Sequence, residues 1–246
     1  GSAVWPLTAR EAQGWPFSLG RLEPHFGPVL RSALLMGRKD DLENEFPLHT
    51  PDVVELSPSP QAKALLDRGE KYRVPLAKRG FRMGASRLLF NRPPDGNLLM
   101  DNGGCVQCGL CMYGCPYNLI YSTRPQLNKL VASGKCWHKP GFVVHRVEEK
   151  PDAVWVHGVS SSDGHPWSMK TRRVFLGAGV ASTTRIMLES MGEFDLPVEA
   201  KVSEYFLAPM LTFQSTPHAT TVPQHTLAQV FVEFLDPHLD NPSIHT

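Results

Sequence analysis

Apolar residues recur first at helical spacing and later at alternate positions, and that change of period divides the chain. In the first stretch, Leu22, Phe26, Val29, Leu30, Ala33 and Leu34 line one face of a segment from Leu19 to Leu35. Ser18 is placed to cap its first turn and Pro24 to open a second helix, so the stripe reads as core. The charged run Arg38 to Glu45 reads as a solvated surface loop. A short helix follows, capped by Ser59, started by Pro60 and closed by Gly69. After a turn signal at Pro93-Pro94-Asp95-Gly96 and a cysteine-rich segment, Ser122 or Thr123 caps a helix. That helix carries Leu127, Leu130 and Val131 and stops at Gly134.

Beyond Gly134 the period shortens. Phe142 to Val147, Ala153 to Val159 and Trp167 to Leu176 read as three strands, the last two joined around Asp163-Gly164. This meander is expected to be antiparallel. It is expected to run through Gly177-Ala178-Gly179 directly into a helix at Thr183 to Ser190 that carries Ile186, Met187 and Leu188. Thr226 to Leu235 alternates, with Ala228, Val230, Val232 and Phe234 on the face expected to be buried and Gln229 and Glu233 on the other. The fold class is therefore α+β, a mixed architecture of short sheets and few long helices.

Composition narrows the class further. With 41% hydrophobic and 20% charged residues, the 246-residue chain suits a globular protein and not a disordered or collagen-like one. Its formal net charge of +1 gives no global field for nucleic acid or an anionic surface. Arg68, Lys71, Arg73, Lys78, Arg79, Arg82, Arg87 and Arg92 form a local basic stretch with only Glu70 among them. Few aromatics interleave with it, so it reads as a solvated or acid-paired face and no nucleic-acid partner is expected. No apolar run is long enough to span a membrane. Gly1-Ser2 reads as a cloning remnant, and the absence of a basic-then-apolar leader favours a cytoplasmic setting. The ending from Leu239 to Thr246, close behind a strand-like run, reads as a cut made inside a longer parent.

The candidate chemistry lies in the cysteines. Cys105, Cys108, Cys111 and Cys115 follow the spacing C-x2-C-x2-C-x3-C and precede Pro116. Such a run wraps iron-sulfur clusters in bacterial ferredoxins, where the fourth thiolate serves a neighbouring cluster. No second set occurs here, so a single cubane would need Cys115 in an altered loop or the distant Cys136, whereas three thiolates could hold a three-iron cluster. Zinc is a weaker match, because structural zinc sites pair two separated ligand couples. A metal-free Gly/Cys loop, or disulfides in an exported parent, stays open. If a cluster is present, the chain could act as an electron-transfer or binding module for an acceptor protein.

The order of these features resembles the glucose-methanol-choline family of flavin-dependent oxidoreductases, over most of the chain. Many bacterial members carry a C-x2-C-G-x-C-x3-G-C-like loop, a Ser/Thr-started helix, a Gly, and a strand of V-x-R-V character. Here these are Cys105 to Cys115, Ser122, Gly134 and Val144-His145-Arg146-Val147. The run Val174 to Ser190 is similar to the family's V-x-A-A-G-A-x-x-[ST]-P-x-L-L-x-x-S signature, with Gly177, Val180 and Thr184 as departures. Gly14-Trp15-Pro16 resembles the family's G-W-P stretch.

The resemblance implies a partial FAD-binding dinucleotide fold with a three-stranded antiparallel meander and part of an antiparallel substrate-domain sheet. It implies segments 1–92 (helical cap and start of the substrate domain), 93–141 (Cys-rich loop and helix), 142–195 (FAD-binding portion) and 196–246 (substrate-domain portion). It places Val144 at the adenine of FAD, and Gly177, Ala178, Gly179 and Thr183 at a phosphate or flavin edge. The implied activity is oxidation of CH-OH groups of an alcohol or sugar. No G-x-G-x-x-G turn is present, and the resemblance puts that turn upstream of Gly1 and the catalytic His downstream of Thr246. His218, His225, His238 and His245 are given no role, and no catalytic residue is assigned. The isolated chain is accordingly expected to be inactive.

Overall fold

The computed structural model describes residues 4–8, 11–92, 101–200, 207–235 and 243–245. The Pro93 to Gly96 turn, Gly1-Ser2, His238 and the stretch from Leu239 to Pro242 lie outside them. The fold is mixed α+β, with five α-helices and three three-stranded sheets among the described residues. The chain divides into two compact units, Gly1–Gln126 with Leu211–Thr246, and Leu127–Met210. Segment 1–92 and most of 93–141 fall in the first unit, and 142–195 falls in the second.

In the first unit, α1 spans Glu23–Leu30 behind a 3-10 turn at Leu19–Arg21. The helix ends at Leu30, and Ala33 and Leu34 belong instead to strand β1, Ala33–Met36, every residue of which is buried. They were expected on a helical face, but four consecutive apolar residues buried on both sides suit a central strand equally well. β1 pairs in parallel with β2 (Val53–Val54) and antiparallel with β4 (Leu88–Asn91). That two-residue pairing is the one parallel contact among the described strands. Helix α2, Pro60–Lys71, starts as the sequence indicates: Ser59 Oγ accepts the Ala62 N–H at 3.2 Å. It runs through Gly69 rather than stopping there, and glycine suits that buried position, where a side chain would meet the Met83 sulfur at 2.7 Å. The short α3, Arg73–Ala77, leads to β3, Phe81–Ala85.

β3 pairs antiparallel with β8 (Val230–Leu235), which pairs with β9 (Ser243–His245). The second antiparallel sheet is thus present, but its buried face is reversed. Phe231 and Glu233 are buried while Ala228 is exposed. Phe231 stacks on Phe46 at 5.6 Å and lies near Trp5, and Phe234 on the other face stacks on Phe81 at 4.5 Å. Both faces carry aromatics, so alternation alone could not choose between them.

The expected surface loop at Arg38 to Glu45 is in part core. Leu42 and Phe46 are fully buried, and the Asp40 carboxylate pairs with the fully buried Arg87 at 2.7 Å. Three further members of the basic stretch are paired with acids: Arg82 with Glu45, Arg92 with Asp52 and Arg73 with Glu70.

In the second unit the meander is antiparallel: β5 (Phe142–Lys150), β6 (Ala153–Ser160) and β7 (Pro166–Thr171), in that spatial order. The third strand stops at Thr171, and an irregular stretch separates it from α5, Val180–Met191, which starts before the expected Thr183. Between the units in sequence lies α4, Arg124–Ala132, with Ser122 Oγ accepting the Arg124 N–H and Gly134 in the left-handed region beyond its end.

Candidate functional site

The cysteine segment belongs to the first unit and is pinned at both ends. At its start Gly103, at φ 57°, lets the chain turn against Met36 and Leu34, where a Cβ would stand 3.0 Å from the Met36 side chain. At its end the Asn91 N–H donates to Leu119 O and the Tyr121 N–H to Leu89 O, tying the segment to β4. The middle is held by Thr226 Oγ1, which donates to Gly109 O, and by Gln107 Nε2, which donates to Ser57 O.

All five cysteines are free thiols. Cys105 packs against the hydrophobic cluster of Leu34, Met36, Leu42, Phe46, Leu88, Phe90 and Phe231, whereas Cys108 is exposed. Backbone amides of Gln107 and Leu119 donate to the sulfurs of Cys105 and Cys115 at 3.4 and 3.5 Å. Four thiols with amide donors suit iron as a donor set. The expected convergence of Cys105, Cys108, Cys111 and Cys115 is nevertheless not found. No three His, Cys, Asp or Glu side chains among the described residues are grouped to hold a metal ion. Cys105 has been drawn towards the apolar core, where a thiol serves as a small hydrophobe. As folded, the four sulfurs are not gathered around one centre, and no chemistry is routed through the loop.

Burial, reinforced by the three neighbouring thiols, pushes the Cys105 thiol up from its ordinary value. A raised value leaves less thiolate at neutral pH and so a slower nucleophile. We therefore expect iodoacetamide to alkylate Cys108 first and Cys105 last of the four, as read by mass spectrometry of a time course. Equal rates would contradict the burial difference. Joint protection of all four, with iron and acid-labile sulfide in the same anaerobic sample, would make the loop a ligand set.

The other candidate residues belong to the second unit. β5 is an edge strand, and its register against β6 shifts between Val144 and Arg146, leaving His145 as the extra residue of a bulge. Gly158 on β6 makes this possible: a Cβ there would stand 2.5 Å from Val143 O and 3.2 Å from Val144 Cα. Sequence reasoning passed over Gly158, although a glycine inside a strand pattern signals a bulge or a close backbone approach. α5 is tied to β5 by one hydrogen bond and meets it at a second point. His145 Nδ1 lies 2.8 Å from Glu189 Oε1, and the Val147 N–H donates to Ser190 Oγ at 2.8 Å.

Gly177, Ala178 and Gly179 are exposed and form the entry to α5, and Thr183 is half-buried in its first turn, its N–H donating to Gly179 O at 2.9 Å. No side chain caps this helix, no acid lies in its first turn, and the space around Gly177 and Gly179 is open. Its leading N–H groups are thus available to an anionic or electron-rich group. An open hollow of about 290 Å³ on the meander is lined by His145, Arg146, His157, Gly158 and Trp167, among others. Glu148 is held below the usual carboxylate range by hydrogen bonds from Lys150 and His157.

His225, in the first unit, is buried, and burial pushes it down from histidine's ordinary value. Burial there disfavours its charged form. His218 is exposed, with φ 61°. Among the described residues no helix is long and apolar enough to cross a membrane. No protein-family model, curated protein or solved structure matches the chain.

Proposed function

We propose that the chain is part of a flavin-dependent oxidoreductase of the glucose-methanol-choline type, acting on CH-OH groups of an alcohol or sugar. One observation carries this reading. The strand bearing Val144 and the helix entered through Gly177-Ala178-Gly179, which resemble separate family motifs, pack on each other in one compact unit. The bulge at His145 alters the edge of β5 beside Val144, and the uncapped start of α5 presents backbone donors.

Val144 would hold the adenine through its backbone, and Gly177, Ala178, Gly179 and Thr183 would line a phosphate or flavin edge. When bound, FAD supplies the acceptor for hydride from the C-OH carbon. The chain's own part is to bind and orient. None of its histidines is assigned as the proton acceptor. An acceptor protein for the electrons belongs to the same proposal, and the cysteine loop is left outside it.

The test is made on the longer parent that this reading implies. Purified parent should show flavin absorption, release free FAD on denaturation, and bleach without oxygen when a member of a panel of alcohols and sugars is added. A colourless protein that takes up no added FAD overturns the reading. Colour that is lost with iron and sulfide, and without released flavin, would favour an iron-sulfur electron-transfer module instead.

A further inference from the structure

Lys139 lies in the connection between α4 and β5, which is bounded by Gly134 at φ 70° and Gly141 at φ 83°. Its ammonium nitrogen stands 4.6 Å from the ring centre of Phe142, 5.1 Å from Trp137 and 5.4 Å from Trp167. Three aromatic rings therefore surround one cation. No carboxylate pairs with Lys139 among the described residues, so the rings alone hold it.

Two walls of this cage are built into the sheet. Phe142 opens β5 and Trp167 lies on β7, with their ring centres 4.9 Å apart across the intervening strand. The Ser161 N–H donates to Gly141 O at 2.8 Å, which fastens the chain just before Phe142 to the β6–β7 connection. The third wall, Trp137, is 75% exposed and sits on the loop, so it can move without disturbing the sheet. The loop's start is anchored, since the N–H groups of Lys135 and Cys136 both donate to Leu130 O.

Ring faces attract positive charge but accept hydrogen bonds poorly, and a primary ammonium is strongly hydrated with three donors to satisfy. A cage of rings without an acid suits a weakly hydrated cation whose nitrogen carries methyl groups better than it suits lysine. We propose that Trp137, Phe142 and Trp167 form a binding site for a methylated ammonium ion, in which the Lys139 side chain is a tethered competitor. The tether gives that side chain an effective concentration of about millimolar, so a soluble ligand must displace it. This site is independent of the flavin reading, because none of its three rings belongs to the cofactor residues.

The test is a fluorescence titration of the full chain with tetramethylammonium chloride, against sodium chloride at equal ionic strength and against the uncharged tert-butanol. Saturable quenching is expected, tightening by roughly tenfold in Lys139→Ala as the competitor is removed. It should be lost in Lys139→Ala/Trp137→Ala, whose second change lies on an exposed loop and leaves the sheet intact. Trp167→Ala should abolish it too, with thermal unfolding showing whether that variant stays folded. Absence of saturation in Lys139→Ala overturns the proposal. So does equal quenching by tert-butanol, or binding that survives the loss of Trp137.

Discussion

Replacing Arg87 with methionine should lower the unfolding free energy of the chain by up to about 3–5 kcal/mol, because the buried Asp40 carboxylate would keep only Arg38, at 3.7 Å, as a cation partner. Arg87 is fully buried and its guanidinium meets the Asp40 carboxylate twice, at 2.7 and 3.1 Å. It also donates to the carbonyls of Ala85 at 2.6 Å and Phe46 at 3.4 Å. Asp40 in turn accepts the backbone N–H groups of Ala85 and Leu42. Its carboxylate occupies the space over Gly84 where a Cβ would stand 2.5 Å away, so Asp40 joins the Arg38 loop to the distant segment that carries Gly84 and Arg87. Methionine fills the arginine stem's volume, and the loss would therefore measure the charge rather than a cavity. Urea unfolding reads the effect. Asp40→Asn combined with Arg87→Met should recover a large part of it, because an apolar or neutral pair carries little of the desolvation cost. A single-variant loss below about 1 kcal/mol would place the pair among ordinary surface bridges.

Features set by local chemistry were legible in the sequence. Ser59 followed by Pro60 specifies a helix start whatever surrounds it, and the alternation from Phe142 onward specifies paired strands. Where tertiary partners decide, the pattern misled. Ala33 and Leu34 continue a helical stripe by spacing, yet they are buried, pair with Asn91 and Phe90 of β4 and take strand conformation. Glu233 looks like the solvent face of its strand and is buried, opposite Arg82 in register. Arg87 and Asp40 are ambiguous by type, since a lone basic or acidic residue is usually solvated.

The candidate site divides the same way. Val144 and the Gly177 to Gly179 entry to α5 were recognised by resemblance, and both occur in the second unit. The cysteine spacing was equally visible, but spacing fixes neighbours along the chain and not the direction of each sulfur. Cys105 packs on the core while Cys108 faces solvent, a split that depends on β1 and β4 rather than on the motif.

Gly158→Ala should be the most damaging single-methyl change in the second unit, with an expected loss of about 1–3 kcal/mol from overpacking. The added Cβ would fall 2.5 Å from Val143 O and 3.1 Å from the carbonyl carbon, both backbone atoms that a side-chain rotation cannot clear. Relief requires β5 to move at the bulge. That movement would pull on Val147, through which the strand holds Ser190 of α5, and on His145, which lies against Glu189. Ser190→Ala is the comparison: it removes the hydrogen bond accepted from Val147 N–H and the one donated to Ile186 O within the helix, each worth about 0.5–1.5 kcal/mol, and leaves the bulge in place. Amide exchange should separate them. Gly158→Ala should speed exchange along β5 from Val144 to Val147 and in the second half of α5, whereas Ser190→Ala should affect Val147 chiefly. Because Val144 is the residue proposed to meet the adenine, the parent carrying Gly158→Ala should also bind FAD more weakly than the parent carrying Ser190→Ala. Faster exchange without weaker binding would keep the bulge as a structural joint and remove Val144 from the cofactor site. Unchanged exchange in Gly158→Ala would mean that β5 and β6 do not approach each other as closely as Gly158 allows.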